Sequence, residues 1–216
     1  MFDAYGTLFD FASAARACAD VPGEAASRLT ALWRDKQVQY TWLRAAQGRH
    51  ADFGQVTADA LDFTLETLGL EQPGLRGRLL ELYLTLAAFP DVPEVLAKLR
   101  AAGLKTAILS NGTPAMLAAA VAAAGLADRF DAVLSVEEVG AFKPDRRVYQ
   151  LAVDRLGIPS AAIAFVSSNG WDAHAASAFG MQVVWCNRTA RRRERLPGEP
   201  DREITTLAEL PVLVGA

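Results

Sequence analysis

Histidine and cysteine are scarce in this chain. Only two of each occur in 216 residues: His50, His174, Cys18 and Cys186. A zinc site of three or four His/Cys ligands would use nearly all of them, and their spacing matches no zinc pattern. Two distant cysteines make no disulfide framework. Both thiols read as packing residues, and a reducing cytoplasm is the simplest compartment. His50 lies far along the chain from His174 and no Gly-x-Ser-x-Gly elbow is present, so a Ser-His-Asp triad does not fit. Basic excess is also missing: 22 Lys+Arg face 25 Asp+Glu, for a net charge of −3. That speaks against a nucleic-acid binder. There is no apolar run of about eighteen residues to span a membrane, and no signal-peptide pattern at the start.

What remains is carboxylates, Lys/Arg and hydroxyls in a chain that is 51% hydrophobic and 22% charged. This composition supports a sizeable core, in one large domain or a core with an insertion. From about residue 90 strands and helices alternate. Leu104–Ser110 reads as a strand, Met116–Ala124 as a helix closed by Gly125, and Asp131–Val136 as a strand. Pro144–Leu156 reads as a helix closed by Gly157, then Ala162–Ser168 as a strand, Trp171–Phe179 as a helix and Gln182–Cys186 as a strand. Glu203–Val214 adds a strand and a short helix. Such alternation implies βαβ units and a parallel sheet, an α/β fold of Rossmann-like type.

Residues before this are different. Glu24–Gln47 lacks Gly and Pro and carries Leu29, Leu32, Trp33, Val38, Trp42 and Leu43 at helical spacing. Val56–Leu68 and Leu75–Ala88 repeat the pattern. The expected organisation is a core of residues 1–10 and 89–216, with residues 11–88 as an inserted helical subdomain. The run Arg188, Arg191, Arg192, Arg193, Arg195 reads as a solvated face.

In α/β sheets, ligands collect at the carboxyl ends of the strands. Four polar clusters fall at such ends here: Asp3–Thr7, Ser110–Thr113, Lys143, and Ser167–Asp172. Each alone has an ordinary reading. Asp3-Ala4-Tyr5-Gly6-Thr7 is equally a strand-ending turn, and Lys143 before Pro144 is equally a surface lysine. Ser110-Asn111-Gly112-Thr113 is a capped turn or an anion cradle at a helix start. Asp172 either caps a helix or acts on water. Taken together, a lysine beside the aspartate would keep it charged, as a nucleophile requires.

Asp3-Ala4-Tyr5-Gly6-Thr7-Leu8-Phe9-Asp10, Leu109-Ser110-Asn111-Gly112, Lys143-Pro144-Asp145 and Phe165-Val166-Ser167-Ser168-Asn169-Gly170-Trp171-Asp172 resemble, in order, the four motifs of the haloacid dehalogenase superfamily. Leu32-Trp33-Arg34 and Gln37–Arg44 resemble the helical cap of its type II L-2-haloacid dehalogenases. The superfamily's magnesium-dependent phosphatases are the alternative within the resemblance. They carry a second aspartate where Tyr5 stands and further carboxylates where Ser167, Ser168 and Asn169 stand. A catalytically silent binding module is a third reading, which the intact Asp3, Lys143 and Asp172 set disfavours.

The resemblance implies hydrolysis of L-2-haloalkanoic acids to D-2-hydroxy acids, with halide released and with no cofactor and no metal. It makes Asp3 the nucleophile and Lys143 its charge partner. Ser110 would hold the substrate carboxylate, and Arg34, with Asn111, the departing halide. Thr7, Tyr149, Ser167 and Asn169 would order the site, and Asp172 would position or activate water. Tyr5, Phe53 and Trp171 would wall the alkyl group. The resemblance also implies a homodimer, for which Trp42 and Leu43 are candidate contacts. His50 reads as a surface or cap-interface residue and His174 as structural. Only Met1 and Phe2 precede Asp3, so the expectation is that a few residues of the first strand are missing from the sequence.

Overall fold

The computed structural model describes residues 1–21 and 23–216. Its centre is a parallel sheet of short strands, apolar except at the edge strand β5: β1 (Ala107–Ser110), β2 (Ala132–Ser135), β3 (Ala164–Ser167), β4 (Gln182–Cys186) and β5 (Arg202–Ile204). β1 pairs with β2, with Leu109 opposite Leu134. β4 lies between β3 and β5, with Val166 opposite Val184. The N-terminal segment joins the two halves, because Phe2 bridges in parallel to both Ile108 and Val166. Its backbone supplies the ladder: Phe2 N donates to Ala107 O at 2.8 Å and Asp3 N to Val166 O at 2.9 Å. The spatial order is therefore β2, β1, the N-terminal segment, β3, β4, β5. Ile108, Leu109, Phe165, Val166 and Val183 are buried along it. Near-continuous apolar strands are what a parallel sheet covered on both faces requires, and each such side chain contributes about 1.5–3 kcal/mol by leaving water.

Helices α1 (Ala12–Ala17), α2 (Gly23–Ala46), α3 (Phe53–Leu68) and α4 (Leu75–Leu84) precede β1, as does α5 (Val92–Ala101). Helices α6 (Pro114–Ala123), α7 (Arg146–Leu156), α8 (Gly170–Phe179) and α9 (Leu210–Leu213) follow between and after the strands. Their ends carry the expected signals. Asp52, Thr113 and Asp145 accept from the backbone N–H of Gln55, Met116 and Arg147, while Gly69, Gly157 and Gly180 close α3, α7 and α8 in the left-handed region. None of the helices in the described residues is long and apolar enough to cross a membrane.

Several boundaries differ from the sequence reading, each for a local reason. β1 begins at Ala107 rather than Leu104 because the Thr106 N–H is taken by the Asp131 carboxylate at 2.8 Å. The second strand stops at Ser135, whose hydroxyl accepts from Glu137 N and starts a 3₁₀ turn, Val136–Glu138. α7 starts after its cap, Asp145, and not at Pro144. α4 stops at Leu84. The residues beyond it run antiparallel to the segment after Asp3, with Phe9 bridging Ala88 and Phe89 N donating to Leu8 O. The chain thus leaves the sheet region toward α1 and returns from α4 side by side. Helix α5 was not anticipated, although Val92, Val95, Leu96 and Leu99 bury one face of it.

The loop before β5 is tied to α8 by close backbone approach. Gly198 has φ +79°, and a Cβ there would lie 2.3 Å from His174 O and 2.6 Å from Ala178 N. Neither atom can yield without breaking α8. Gly198→Ala is therefore expected to lower stability by about 1–3 kcal/mol, read as a lower urea midpoint with an unchanged slope.

Candidate active site

The N-terminal segment, β1 and β3 end at the same edge of the sheet, and their last residues are Asp3, Ser110 and Ser167. The chain can turn sharply after Asp3 because Gly6 takes φ +86° and Ala4 O accepts from the N–H groups of Thr7, Leu8 and Phe9. Thr7 is thereby folded back on Asp3. Its hydroxyl donates to Asp3 Oδ2 at 3.1 Å and accepts from Ser168 N at 2.8 Å. Asn169 Nδ2 donates to the same Oδ2 at 2.8 Å.

Lys143 arrives from the loop between β2 and α7. Its Nζ donates to Asp3 Oδ1 at 3.1 Å and to Asp172 Oδ2 at 2.8 Å, with its side chain only 1% exposed. Burial alone drives an ammonium toward neutrality, but the carboxylates of Asp172 and Asp3 outweigh it and hold Lys143 above its ordinary value. Burial raises the Asp172 carboxyl, and Lys143 counteracts only part of that. The other oxygen of Asp172 accepts from Tyr149 Oη at 2.7 Å. Burial and the neighbouring Asp172 push the Tyr149 phenol well above its usual value, so it stays a donor. The Lys143 ammonium thus stands between the two carboxylates. Among the described residues, no three His, Cys, Asp or Glu side chains gather as metal ligands.

Above this centre lies an aromatic roof. Tyr5 sits 5.7 Å from Phe53 and 5.4 Å from Tyr83, ring to ring, and Trp33 lies 5.1 Å from Tyr83. The Tyr5 hydroxyl is buried without a hydrogen-bond partner, and burial raises its pKa well above the usual phenol value, so it stays protonated. Gly112 makes room for it, since a Cβ there would stand 2.9 Å from the Tyr5 hydroxyl. Arg34 reaches in from α2. Its Nη1 donates to Gln37 Oε1 at 2.7 Å, its Nη2 to Asn169 Oδ1 at 3.3 Å, and its guanidinium lies 5.3 Å from the Phe11 ring centre. A cleft of about 900 Å³ opens beside it, lined by Arg34, Asp35, Val38, Trp42, Asn169 and Trp171 among others.

The residues singled out from the sequence do not all end up alike. Asp3, Thr7, Lys143, Asn169 and Asp172 form one hydrogen-bonded cluster, and Arg34 joins it through Asn169. Phe53 and Tyr5 share the roof, and Trp171 lies on the cleft wall, 5.4 Å edge-on to Trp42. Ser110 Oγ accepts from Gly112 N and Ser167 Oγ from Asn169 N, so each shapes its own loop and keeps an O–H to donate. Asn111 Oδ1 accepts from Lys143 N at 3.0 Å. Tyr149, expected to order the site, donates its hydroxyl to Asp172 and packs its ring against Phe165 and Phe179. Trp42, read as an exposed residue for a homodimer contact, is exposed and lines the open cleft beside Trp171. His50 bonds Glu137 at 2.9 Å across to the sheet side of the molecule, and His174 is buried with Nδ1 against Leu196 O.

Three residues were overlooked. Gln37 is buried and links Arg34 to Thr57 Oγ1 (2.6 Å) and Tyr83 Oη (3.1 Å). Its only local sign was a polar residue on the apolar face that carries Trp33, which does not reveal partners 20 and 46 residues away. Tyr83 gave no local signal, because its partners are distant in sequence. Arg188, read as solvated with the rest of its run, is paired and nearly buried, its side chain 13% exposed.

A buried Asp–Lys–Asp centre at the carboxyl edge of a parallel α/β sheet, beneath an aromatic roof, defines an α/β enzyme. The family model for haloacid dehalogenase-like hydrolases matches residues 1–180. The chain belongs to that family. It is 48% identical over 207 residues to the (S)-2-haloacid dehalogenase of Pseudomonas sp. (strain YL), covering 95% of this chain and 89% of that protein. It is 45% identical to (S)-2-haloacid dehalogenase 1 of Pseudomonas sp. (strain CBS-3), covering 99% and 95% of the two. The structure of the Xanthobacter autotrophicus L-2-haloacid dehalogenase with chloropropionic acid covalently bound superposes with a TM-score of 0.92 at 41% identity, covering 100% of this chain and 97% of that one. These relatives support the dehalogenase reading over the phosphatase alternative.

Proposed function

We propose that this protein hydrolyses L-2-haloalkanoic acids to D-2-hydroxy acids, with Asp3 as the nucleophile. The observation that carries the reading is the Asp3 carboxylate itself. It is oriented by Thr7 and Asn169, charge-balanced by Lys143, and set near an apolar roof. An Asp3 oxygen attacks C2 of the substrate. The C–O bond forms as the carbon–halogen bond breaks, the halide leaves with the bonding pair, and C2 inverts. Water then adds to the ester carbon of Asp3, giving up one proton to Asp172. The tetrahedral adduct collapses by breaking the bond from that carbon to the product oxygen, which takes the adduct's remaining hydroxyl proton, so the 2-hydroxy acid departs, the Asp3 carboxylate is restored, and Asp172 returns its proton to solvent. Splitting one displacement into two easier steps is covalent catalysis, and its first step demands collinear nucleophile, carbon and leaving group.

The remaining roles follow from chemistry. The Ser110 hydroxyl and the N–H groups at the start of α6 suit a carboxylate. Arg34, steered by Gln37 and Asn169, stabilises the departing halide, with Asn111 beside it. Tyr5, Phe53 and Trp171 keep the alkyl group away from bulk water, which would otherwise blunt the nucleophile. Ser167 and Tyr149 hold Asn169 and Asp172 in position. Residues 11–88 serve as a cap over a core of residues 1–10 and 89–216. Leu43, 48% exposed on the outer face of α2, suits a homodimer contact. A reducing cytoplasm suits two buried, unpaired thiols. The halide and the small 2-haloacid are the partners, with no role for nucleic acid, membrane or cofactor.

Halide release from L- and D-2-chloropropionate, measured with chelator present, tests this. Release from the L enantiomer alone, giving D-lactate, is expected. A folded sample that releases no halide from the L enantiomer overturns the reading. Magnesium-dependent cleavage of a phosphomonoester would favour the phosphatase instead.

A further inference from the structure

Arg188 follows β4, and its guanidinium is held on three sides. It stacks 4.0 Å above the Phe89 ring centre. Its Nη1 and Nη2 donate to the two oxygens of Asp91, both at 2.9 Å. Asp91 is anchored from its far side by Thr206 Oγ1 at 2.6 Å and Leu207 N at 2.8 Å. A planar fork on a carboxylate that is itself fixed leaves the guanidinium little freedom. Its remaining contact points at the site: Nη2 donates to the Thr7 carbonyl at 3.0 Å.

That carbonyl lies in the turn after Asp3, where the sheet ladder has ended, and among the described residues no backbone N–H bonds to it. A buried carbonyl needs a donor, and here the donor comes from a distant element. The peptide so held belongs to the residue whose hydroxyl meets Asp3 Oδ2 at 3.1 Å. A continuous path therefore runs from the Thr206–Leu207 turn through Asp91, Arg188 and Thr7 to the carboxylate.

We propose that Arg188 is a positioning residue for Asp3, acting through Thr7. The proposal rests on the dehalogenase reading of this site. By holding the Thr7 peptide, Arg188 sets the angle at which the Thr7 hydroxyl meets Asp3, and so the direction in which the free lone pairs of the carboxylate point. In-line displacement at carbon depends on that direction, whereas binding of the substrate carboxylate at Ser110 does not. Loss of Arg188 thus lowers kcat and leaves KM nearly unchanged.

The test is steady-state halide release by the wild type, Arg188→Ala, Arg188→Lys, Thr7→Val and the double variant Arg188→Ala/Thr7→Val, with Arg192→Ala as a control on the exposed part of the run. Arg188→Ala is expected to lower kcat by about 10- to 100-fold, the scale of a misplacement of an ångström or less, with KM within about twofold. Added methylguanidine should restore part of the loss. The double variant should be no slower than the slower single variant, because both act on one contact. Arg192→Ala should match the wild type. If Arg188→Ala does not fold, Arg188→Lys reads the same split, since it keeps a charge for Asp91 without the fork. Effects of Arg188 and Thr7 that multiply, or a loss carried by KM, would overturn the proposal. An inactive wild type would instead count against the dehalogenase reading itself.

Discussion

Asp3→Asn is expected to stop halide release, with a loss of about three orders of magnitude or more, the scale of removing a covalent nucleophile. An amide oxygen carries no full charge and cannot form the ester. The variant should still fold, since Asn has the same shape, but it meets a site built for two acceptor oxygens. Lys143, Thr7 and Asn169 all aim donors at the carboxylate. An amide nitrogen must confront one side of that set. The Thr7 hydroxyl can turn away, so the cost should stay near 1–3 kcal/mol, about that of one unsatisfied buried group. Two measurements separate these effects. A thermal melt reads the stability cost. The mass of the Asp3 peptide after an acid quench during turnover reads the chemistry, with a substrate adduct in the wild type and none in the variant. Undiminished turnover by Asp3→Asn would remove Asp3 from the nucleophile's role.

Lys143→Met should damage stability as well as rate. The two carboxylates it separates are both buried, and one cation serves both. Removing one partner from a buried ionic cluster costs about 3–5 kcal/mol, because charges are left uncompensated. The sign of the pH dependence follows. Burial and Asp3 already raise the Asp172 carboxyl, and Lys143 is the main force opposing them. Without Lys143 the folded-state value rises further above that of the unfolded chain. A raised carboxyl contributes stability that is fully present below the ordinary carboxylate range and is lost as pH rises through the folded value. The gap in melting temperature between wild type and variant should therefore be small near pH 4 and wide near pH 8. A gap constant across pH would mean that Lys143 supports the fold by packing and not by charge.

Much of this centre was legible because Asp3, Ser110 and Ser167 end strands and so mark the edge of the sheet where Lys143 and Asp172 gather. The segments before Asp3, Ser110 and Ser167 are apolar, and a polar residue after an apolar strand marks the carboxyl edge of the sheet. The strand that leads into Asp3 was readable too, since Phe2 precedes Asp3 as a core residue would. The roof was partly legible, through Tyr5 and Phe53, but Tyr83 and Gln37 were not. Each of those takes its meaning from a partner tens of residues away, and no local pattern encodes such pairings. Arg188 was misread for the opposite reason. Its neighbours Arg192 and Arg195 are exposed, and a run of like charges looks uniform until one member finds a buried carboxylate.

The sequence by itself determined the α/β class, the helical stretch before β1, the Asp3, Lys143 and Asp172 set, and the chemistry open to a chain poor in histidine and cysteine. These are properties of residue type and short spacing, which hydrophobic period and helix-end signals report directly. Tertiary structure alone decided which charges were neutralised and which oxygens were oriented. It brought Lys143 between two carboxylates, set Trp42 beside Trp171 on the open cleft, tied Tyr149 to Asp172 and ran Arg188 back to Thr7. The physical reason is that electrostatic and hydrogen-bond energies depend on distance, direction and burial, and for these residues all three are set by segments far apart along the chain.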